Sequence, residues 1–199
     1  MPNLLRHVDN IQNVYGLPCV VAINRFPTDT EAELALHRVR VPEARVTLAS
    51  EVWAKGGEGA LELADEVMRL IEQPSEFKFA YEDGADVADA LEAIATKVYR
   101  ADGVDFTPAA KRQLAELREN GFGNLPVCVA KTQYSFSDNA KALGAPENFR
   151  ITVRELKVSA GAHFVVALTG SVLTMPGLPK IPAAENIDVD NDGNITGLF

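Results

Sequence analysis

The chain has 199 residues, 47% of them hydrophobic, and a formal net charge of −9. That length and composition suit one large domain or two small ones, and the acidic balance argues against a nucleic-acid partner, for which a basic face is wanted. No apolar stretch approaches the roughly 18 to 20 residues that span a bilayer, the start Met1–His7 lacks a signal-peptide pattern, and Cys19 and Cys128 lie in apolar strand-like runs where a thiol behaves as a small hydrophobe, so a reduced, cytoplasmic protein without a membrane partner is expected.

In chain order, Leu4, Leu5, Val8, Ile11 and Val14 fall at helical spacing over 3–14, and Gly16 is a plausible stop. The continuous apolar run from Cys19 to Ile23 reads as a strand over 18–24 of the kind a parallel sheet covers on both faces. Thr28 and Glu31 form a Thr-x-x-Glu capping box that opens a helix over 29–39, ended by Pro42. A strand at 45–49 follows, then a helix at 57–72 whose Ala60, Leu61, Ala64, Val67, Met68 and Ile71 make one apolar stripe. This αβαβα order has parallel strands if the helices are crossovers. It has the form of the tail of a doubly wound domain whose earlier strands are absent.

A boundary is expected near Gln73-Pro74-Ser75, dividing the chain into 1–74 and 75–199. Beyond it, 85–100 is helical, with Val87, Ala88, Leu91, Ile94, Ala95 and Val98 on one side. A further helix begins at Thr107 as N-cap with Pro108 at its first position, uses Leu114 and Leu117 as its apolar side, and closes at Gly121. Strands are expected at 125–130, 150–158 and 163–168, with a loop at 132–139 and Gly161 between the last two strands. Pro176 to Pro182 is too proline-rich for a helix.

Two loops stand out chemically. Asn24, Arg25 and Phe26 follow the first strand, at the edge where open α/β sheets collect ligands. After the second strand comes Ser50-Glu51-Val52-Trp53-Ala54-Lys55-Gly56-Gly57-Glu58-Gly59, with the single tryptophan of the chain and a glycine cluster that permits close backbone approach to a ligand. If the strands are neighbours, Phe26 and Trp53 face one another across a slot that fits a flat ligand. The competing reading is that both aromatics fill a core.

Other patterns carry less. Asp188-Val189-Asp190-Asn191-Asp192-Gly193-Asn194-Ile195 matches eight positions of a calcium loop, but its twelfth position is Phe199 rather than glutamate. A hairpin pairing 187–189 with 195–197 through a turn at 191–193 explains the same residues and is preferred. His7, His37 and His163 lack partners at metal-ligand spacing, so no metal site is assigned. No Gly-x-Ser-x-Gly elbow occurs, and no catalytic nucleophile is assigned.

Four long strings carry a family resemblance: Val-Val-Ala-Ile-Asn-Arg-Phe-Pro-Thr-Asp-Thr-Glu-Ala-Glu (20–33), Ser-Glu-Val-Trp-Ala-Lys-Gly-Gly-Glu-Gly (50–59), Gly-Phe-Gly-Asn-Leu-Pro-Val-Cys-Val-Ala-Lys-Thr-Gln-Tyr-Ser (121–135) and Leu-Thr-Gly-Ser-Val-Leu-Thr-Met-Pro-Gly-Leu-Pro-Lys (168–180). In this order they closely resemble the carboxyl-terminal part of formate–tetrahydrofolate ligase, over essentially the whole chain. The resemblance implies an α/β fold: the carboxyl-terminal part of a P-loop-type parallel-sheet domain plus a smaller α+β domain. It also implies an ATP-dependent ligase that uses ATP, Mg2+, formate and tetrahydrofolate to make 10-formyltetrahydrofolate through formyl phosphate, and a homo-oligomer when complete.

Residue by residue, the resemblance implies that Phe26 and Trp53 sandwich the pterin ring of the folate and that Asn24 contacts the adenine base. Arg25 and Lys55 are the candidate anion contacts, for the folate tail or a phosphate, against a simple solvated role. The family's phosphate loop belongs to an amino-terminal portion, and no Gly-x-x-x-x-Gly-Lys-Ser/Thr string occurs here. The expectation is therefore a fragment, or a split or truncated form, that supplies the folate platform. The alternative is a noncatalytic binding remnant.

Overall fold

The computed structural model describes residues 1–26, 28–41, 44–48, 51–172 and 180–197. Its architecture is α/β, with two strands in one sheet, four in another, and a short terminal hairpin. Helix α1 (Pro2–Asp9) continues without a break as a π-helical turn over Asn10–Val14. Gly16, at φ +68°, stops it where a Cβ would strike the Glu76 carbonyl oxygen. Strands β1 (Val20–Ile23) and β2 (Arg45–Leu48) pair in parallel. Alternate residues of β1 serve its two sides: Val21 and Ile23 pack with Leu4, Leu5 and Val8 of α1, whereas Val20 lines a cleft with Val67, Leu70 and Ile71.

Helix α2 (Glu31–Arg40) has its capping box two residues later than expected, on Thr30 and Glu33. Thr-x-x-Glu occurs in both registers, and tertiary partners choose between them. Asp29 accepts the Phe26 N–H at 2.7 Å, and Glu31 is drawn to Arg25 at 2.8 Å, leaving Glu33 for the reciprocal bond at 2.9 Å.

A short helix α3 (Val52–Lys55) comes first, and the single helix expected at 57–72 is two pieces, a 3-10 turn over Gly56–Ala60 and α4 (Leu61–Ile71). Gly56 has φ +60°, and a Cβ on Gly59 would lie 2.5 Å from the Glu51 carbonyl carbon, so the glycines bend the chain back onto its own start. The apolar stripe is present but faces outward. Leu61, Val67, Met68 and Ile71 are exposed, while Glu66, ion-paired with Arg69, is buried.

Residues 73–86 contain no helix or strand. Helix α5 (Val87–Ala93) also ends in a π-helical turn, Ile94–Val98. The two π turns meet: the Asn10 carboxamide donates to the Val98 carbonyl at 2.9 Å, and Arg100 pairs with Asp9. Helix α6 (Pro108–Glu119) begins at Thr107, whose hydroxyl accepts the Ala110 N–H at 3.2 Å, and Gly121 follows with φ +77°. Strand β3 (Val104–Phe106) goes unanticipated, because three residues carry no period.

With β4 (Val127–Ala130), β5 (Ile151–Ser159) and β6 (Phe164–Thr169), the sheet order is β3-β5-β6-β4. Ile151 and Val153 point inward, and a bulge between Val153 and Glu155 shifts the phase so that Leu156 rather than Glu155 is buried. These side chains, with Val165 and Ala167, meet Val87 and Leu91 of α5 and Ala110, Leu114 and Leu117 of α6 in the main core. The turn after β5 places its positive φ on His163, at +56°, not on Gly161. Cys128 is exposed rather than a core hydrophobe, because β4 is an edge strand; Cys19 precedes β1, half-buried, and burial pushes its thiol pKa up.

The terminal hairpin, β7 (Asp188–Val189) with β8 (Ile195–Thr196), takes the expected form. Asp190 accepts the backbone N–H groups of Asp192 and Asn194, so its carboxylate closes the turn. Among the described residues no acid, histidine or cysteine cluster could hold a metal, and no helix is long and apolar enough to cross a membrane.

Asp86 joins two helices of the core. One oxygen accepts the Ala88 N–H at 2.8 Å as N-cap of α5, and the carboxylate takes a two-pronged contact from Arg118 near the end of α6. Arg118 holds the Asp86 pKa below the ordinary carboxylate value of 3.8, opposed by desolvation and aided by the Ala88 N–H. A carboxyl lowered in the folded state stabilises it above the unfolded pKa and loses that contribution as pH falls through the folded one. Asp86→Ala is expected to lower the unfolding free energy by about 1 to 2 kcal/mol at neutral pH. In urea titrations the gap from the parent chain narrows below pH ~4; a constant gap would show that ionisation is irrelevant.

Candidate functional site

Because β1 and β2 are parallel neighbours, in register from Val20 opposite Arg45 to Ile23 opposite Leu48, the chain leaves both at the same sheet edge. After Ile23, a tight turn shapes the first loop: the Phe26 N–H donates to Asp29, and the Asp29 N–H returns to the Phe26 carbonyl at 3.0 Å. Phe26 projects outward and is 60% exposed. Trp53, on the second residue of α3, is 65% exposed. Its indole N–H donates to the Arg25 carbonyl at 3.3 Å, tying the second loop to the first.

Phe26 and Trp53 line one cavity of about 250 Å³ with Arg25, Glu51 and Ala54. Among the described residues the two rings make no direct ring contact, and neither is sealed in hydrocarbon. Two large aromatics left open to solvent at a parallel-sheet edge gain nothing for folding from that exposure. The arrangement offers a flat heterocycle an apolar surface on two sides and polar groups at the rim.

The other sequence-predicted site residues fall differently. Arg25 lines the cavity, with its guanidinium paired to Glu31 at 2.8 Å. Lys55 lies outside the lining and pairs with Glu51. That hydrogen bond is the main reason the Glu51 pKa is lowered, with Arg25 adding a smaller pull. Both proposed anion contacts are thus already engaged by carboxylates. Asn24 is exposed on the same loop, outside the lining, and its carboxamide has no hydrogen-bond partner among the described residues.

Glu51 is the residue that sequence reasoning passed over. It contributes the acidic wall of the cavity and holds Lys55; its place at the start of the Trp53 loop was the available signal. Ser50, the first residue of that loop, lies outside the described residues. A larger cavity of about 570 Å³ lies where the first π turn meets the second, among Tyr15, Phe79, Ile94, Val98, Tyr99 and Leu125. Burial pushes the Tyr99 phenol pKa up to about 12, so it stays protonated there. This is a seam where the two π turns meet the segments 79–85 and 124–129, and its other ionisable lining groups are Tyr15, Tyr81 and Asp83.

Comparison with known proteins agrees with the strings read from the sequence. The family model described as formate–tetrahydrofolate ligase matches residues 1–199. The curated formate–tetrahydrofolate ligase of Symbiobacterium thermophilum is 59% identical over 198 residues, which cover 99% of this chain and 36% of that relative. The chain therefore spans little more than a third of that relative's length, and it belongs to the formate–tetrahydrofolate ligase family.

Proposed function

We propose that this chain supplies the folate platform of an ATP-dependent formate–tetrahydrofolate ligase, with the pterin ring held between Phe26 and Trp53. The observation that carries the reading is the exposed pair of rings on adjacent loops, lining one cavity and tied together by the Trp53 indole bond to Arg25. Stacking on an aromatic side chain is worth roughly 1 to 3 kcal/mol per face for a nucleobase, and a pterin is of similar size and polarity. In this reading Arg25 serves the ring through its carbonyl and its packing. Asn24 is the candidate contact for an adenine edge, since a carboxamide both donates and accepts. The setting is cytoplasmic, and the assembled enzyme uses ATP with Mg2+ and is a homo-oligomer.

The reading extends to what covers the rest of the surface. A two-stranded parallel sheet is not self-sufficient, and Leu61, Met68 and Ile71 of α4 are each at least 60% exposed. We assign this face to the portion of the ligase that lies outside the matched third, which would also bring the phosphate loop absent from this sequence. Residues 1–74 are then the end of a doubly wound domain, and 75–199 a smaller α+β domain beside it. Without that portion, the chain by itself is a folate-binding remnant with no chemistry. Calorimetric titration of the chain with tetrahydrofolate tests the platform: saturable one-to-one binding is expected, and no heat of binding at millimolar folate would contradict it.

A further inference from the structure

The second sheet has a carboxyl edge of its own. Strands β4 and β6 run parallel, in register from Val127 opposite Val165 to Ala130 opposite Leu168, so Lys131 and Thr169 leave the sheet side by side. A groove of about 910 Å³ opens there, lined among others by Lys131, Gln133, Tyr134, Asn139, Lys141 and Ser171. Gly170 shapes its floor: it has φ +51°, and a Cβ would lie 2.5 Å from the Asp138 carbonyl oxygen, so only glycine lets the two loops close on each other without strain.

The groove is cationic in an acidic chain. Lys131 is half-buried, its ammonium donating to the carbonyls of Thr132, at 2.7 Å, and Ser135, and lying 5.3 Å from the centre of the Tyr99 ring. Burial lowers its pKa, and the Asp138 charge works against that shift. Among the described residues neither Lys131 nor Lys141 has an ion-pair partner. Nor do the Lys141 ammonium, the Gln133 carboxamide and the Ser171 hydroxyl have hydrogen-bond partners there. Asp138, the one carboxylate among the described lining residues, is occupied by the Thr152 N–H at 2.9 Å. Beside these donors Tyr134 stands 62% exposed.

We propose that this groove binds a phosphate group carried on an aromatic ligand, the phosphate between Lys131, Lys141 and Ser171 and the ring against Tyr134. Donors arrive from three backbone segments, at 131–133, 139–141 and 170–171. The oxygens of a phosphate, pointing in several directions, meet all three, whereas a planar carboxylate reaches two. Lysines act toward phosphate as point charges and need no fork geometry. The site is separate from the Phe26–Trp53 cavity and does not depend on the folate reading.

Amide NMR of the chain titrated with phenyl phosphate, inorganic phosphate and benzoate tests it. Saturable shifts with phenyl phosphate are expected, confined to residues 131–141 and 170–172. Lys141→Ala, at an exposed side chain with no structural bond, weakens binding about fivefold, the scale of one exposed charge contact. Tyr134→Ala removes an advantage of about threefold for phenyl over inorganic phosphate. Absent or scattered shifts, unchanged affinity in Lys141→Ala, or benzoate binding as tightly as phenyl phosphate would each overturn the proposal.

Discussion

Trp53→Ala is expected to weaken tetrahydrofolate binding by more than tenfold while leaving the unfolding transition of the chain where it is. The two halves of that expectation come from one fact, the 65% exposure of the indole. A side chain that open contributes little to packing, so its removal leaves no cavity in the fold. The surface it would offer to a ligand is large, and losing one stacked face at roughly 1 to 3 kcal/mol corresponds to about fivefold to more than a hundredfold in affinity. Phe26→Ala acts in the same direction through the smaller ring. Calorimetry reads both, since the substitution removes the only tryptophan. Equal affinity for parent and Trp53→Ala, or a large loss of stability without loss of affinity, would return the indole to a packing role.

The second large effect is all-or-none. Supplied with ATP, formate and tetrahydrofolate, the chain by itself is expected to make no 10-formyltetrahydrofolate, and addition of the amino-terminal portion of a formate–tetrahydrofolate ligase is expected to restore product formation. The expectation rests on the Gly-x-x-x-x-Gly-Lys-Ser/Thr string, which cradles the phosphates in P-loop proteins and does not occur in this sequence. The face that would receive the missing portion is the outward stripe of α4. Burying a side chain such as Ile71 or Met68 is worth about 1.5 to 3 kcal/mol, and a charge in its place adds a desolvation cost. Ile71→Asp is therefore expected to weaken complementation at least tenfold without destabilising the chain alone, because Ile71 is 63% exposed there. Activity from the chain alone would refute the fragment reading; complementation indifferent to Ile71→Asp would move the docking face elsewhere.

The parts of the fold legible in the sequence are those fixed by local chemistry. Thr107, Pro108 and Gly121 bracket α6 because N-cap, first-turn proline and left-handed glycine act within a few residues of chain. The apolar runs at 20–23 and 127–130 gave strands for the same reason. What failed depends on distant partners. The α2 cap register was settled by Arg25 claiming Glu31, which a Thr-x-x-Glu pattern does not encode. The α4 stripe has a good helical period, yet periodicity says nothing of whether a covering element is present. Cys128 looked buried because an edge strand and a central one share the same composition. Neither π turn was visible, since each exists where Asn10 meets Val98 across the molecule.

The site divides in the same way. That Phe26 and Trp53 line one cavity was readable because parallel neighbours send their loops to one edge, a consequence of topology alone. Arg25 and Lys55 were read as anion contacts from charge alone, and in the structure both meet glutamates, Glu31 and Glu51. Carboxylates already in place leave those cations a weaker pull on a ligand than their formal charge implies. The expected strand end at Ala49, the loop start at Ser50 and the stretch 173–179 lie outside the described residues.

The most direct measurement is the pattern of intermolecular nuclear Overhauser effects in the complex of this chain with tetrahydrofolate. Ring protons of both Phe26 and Trp53 are expected to show contacts to the same pterin protons, from opposite faces. Contacts to one ring only, or to residues away from the edge of β1 and β2, would contradict the folate platform.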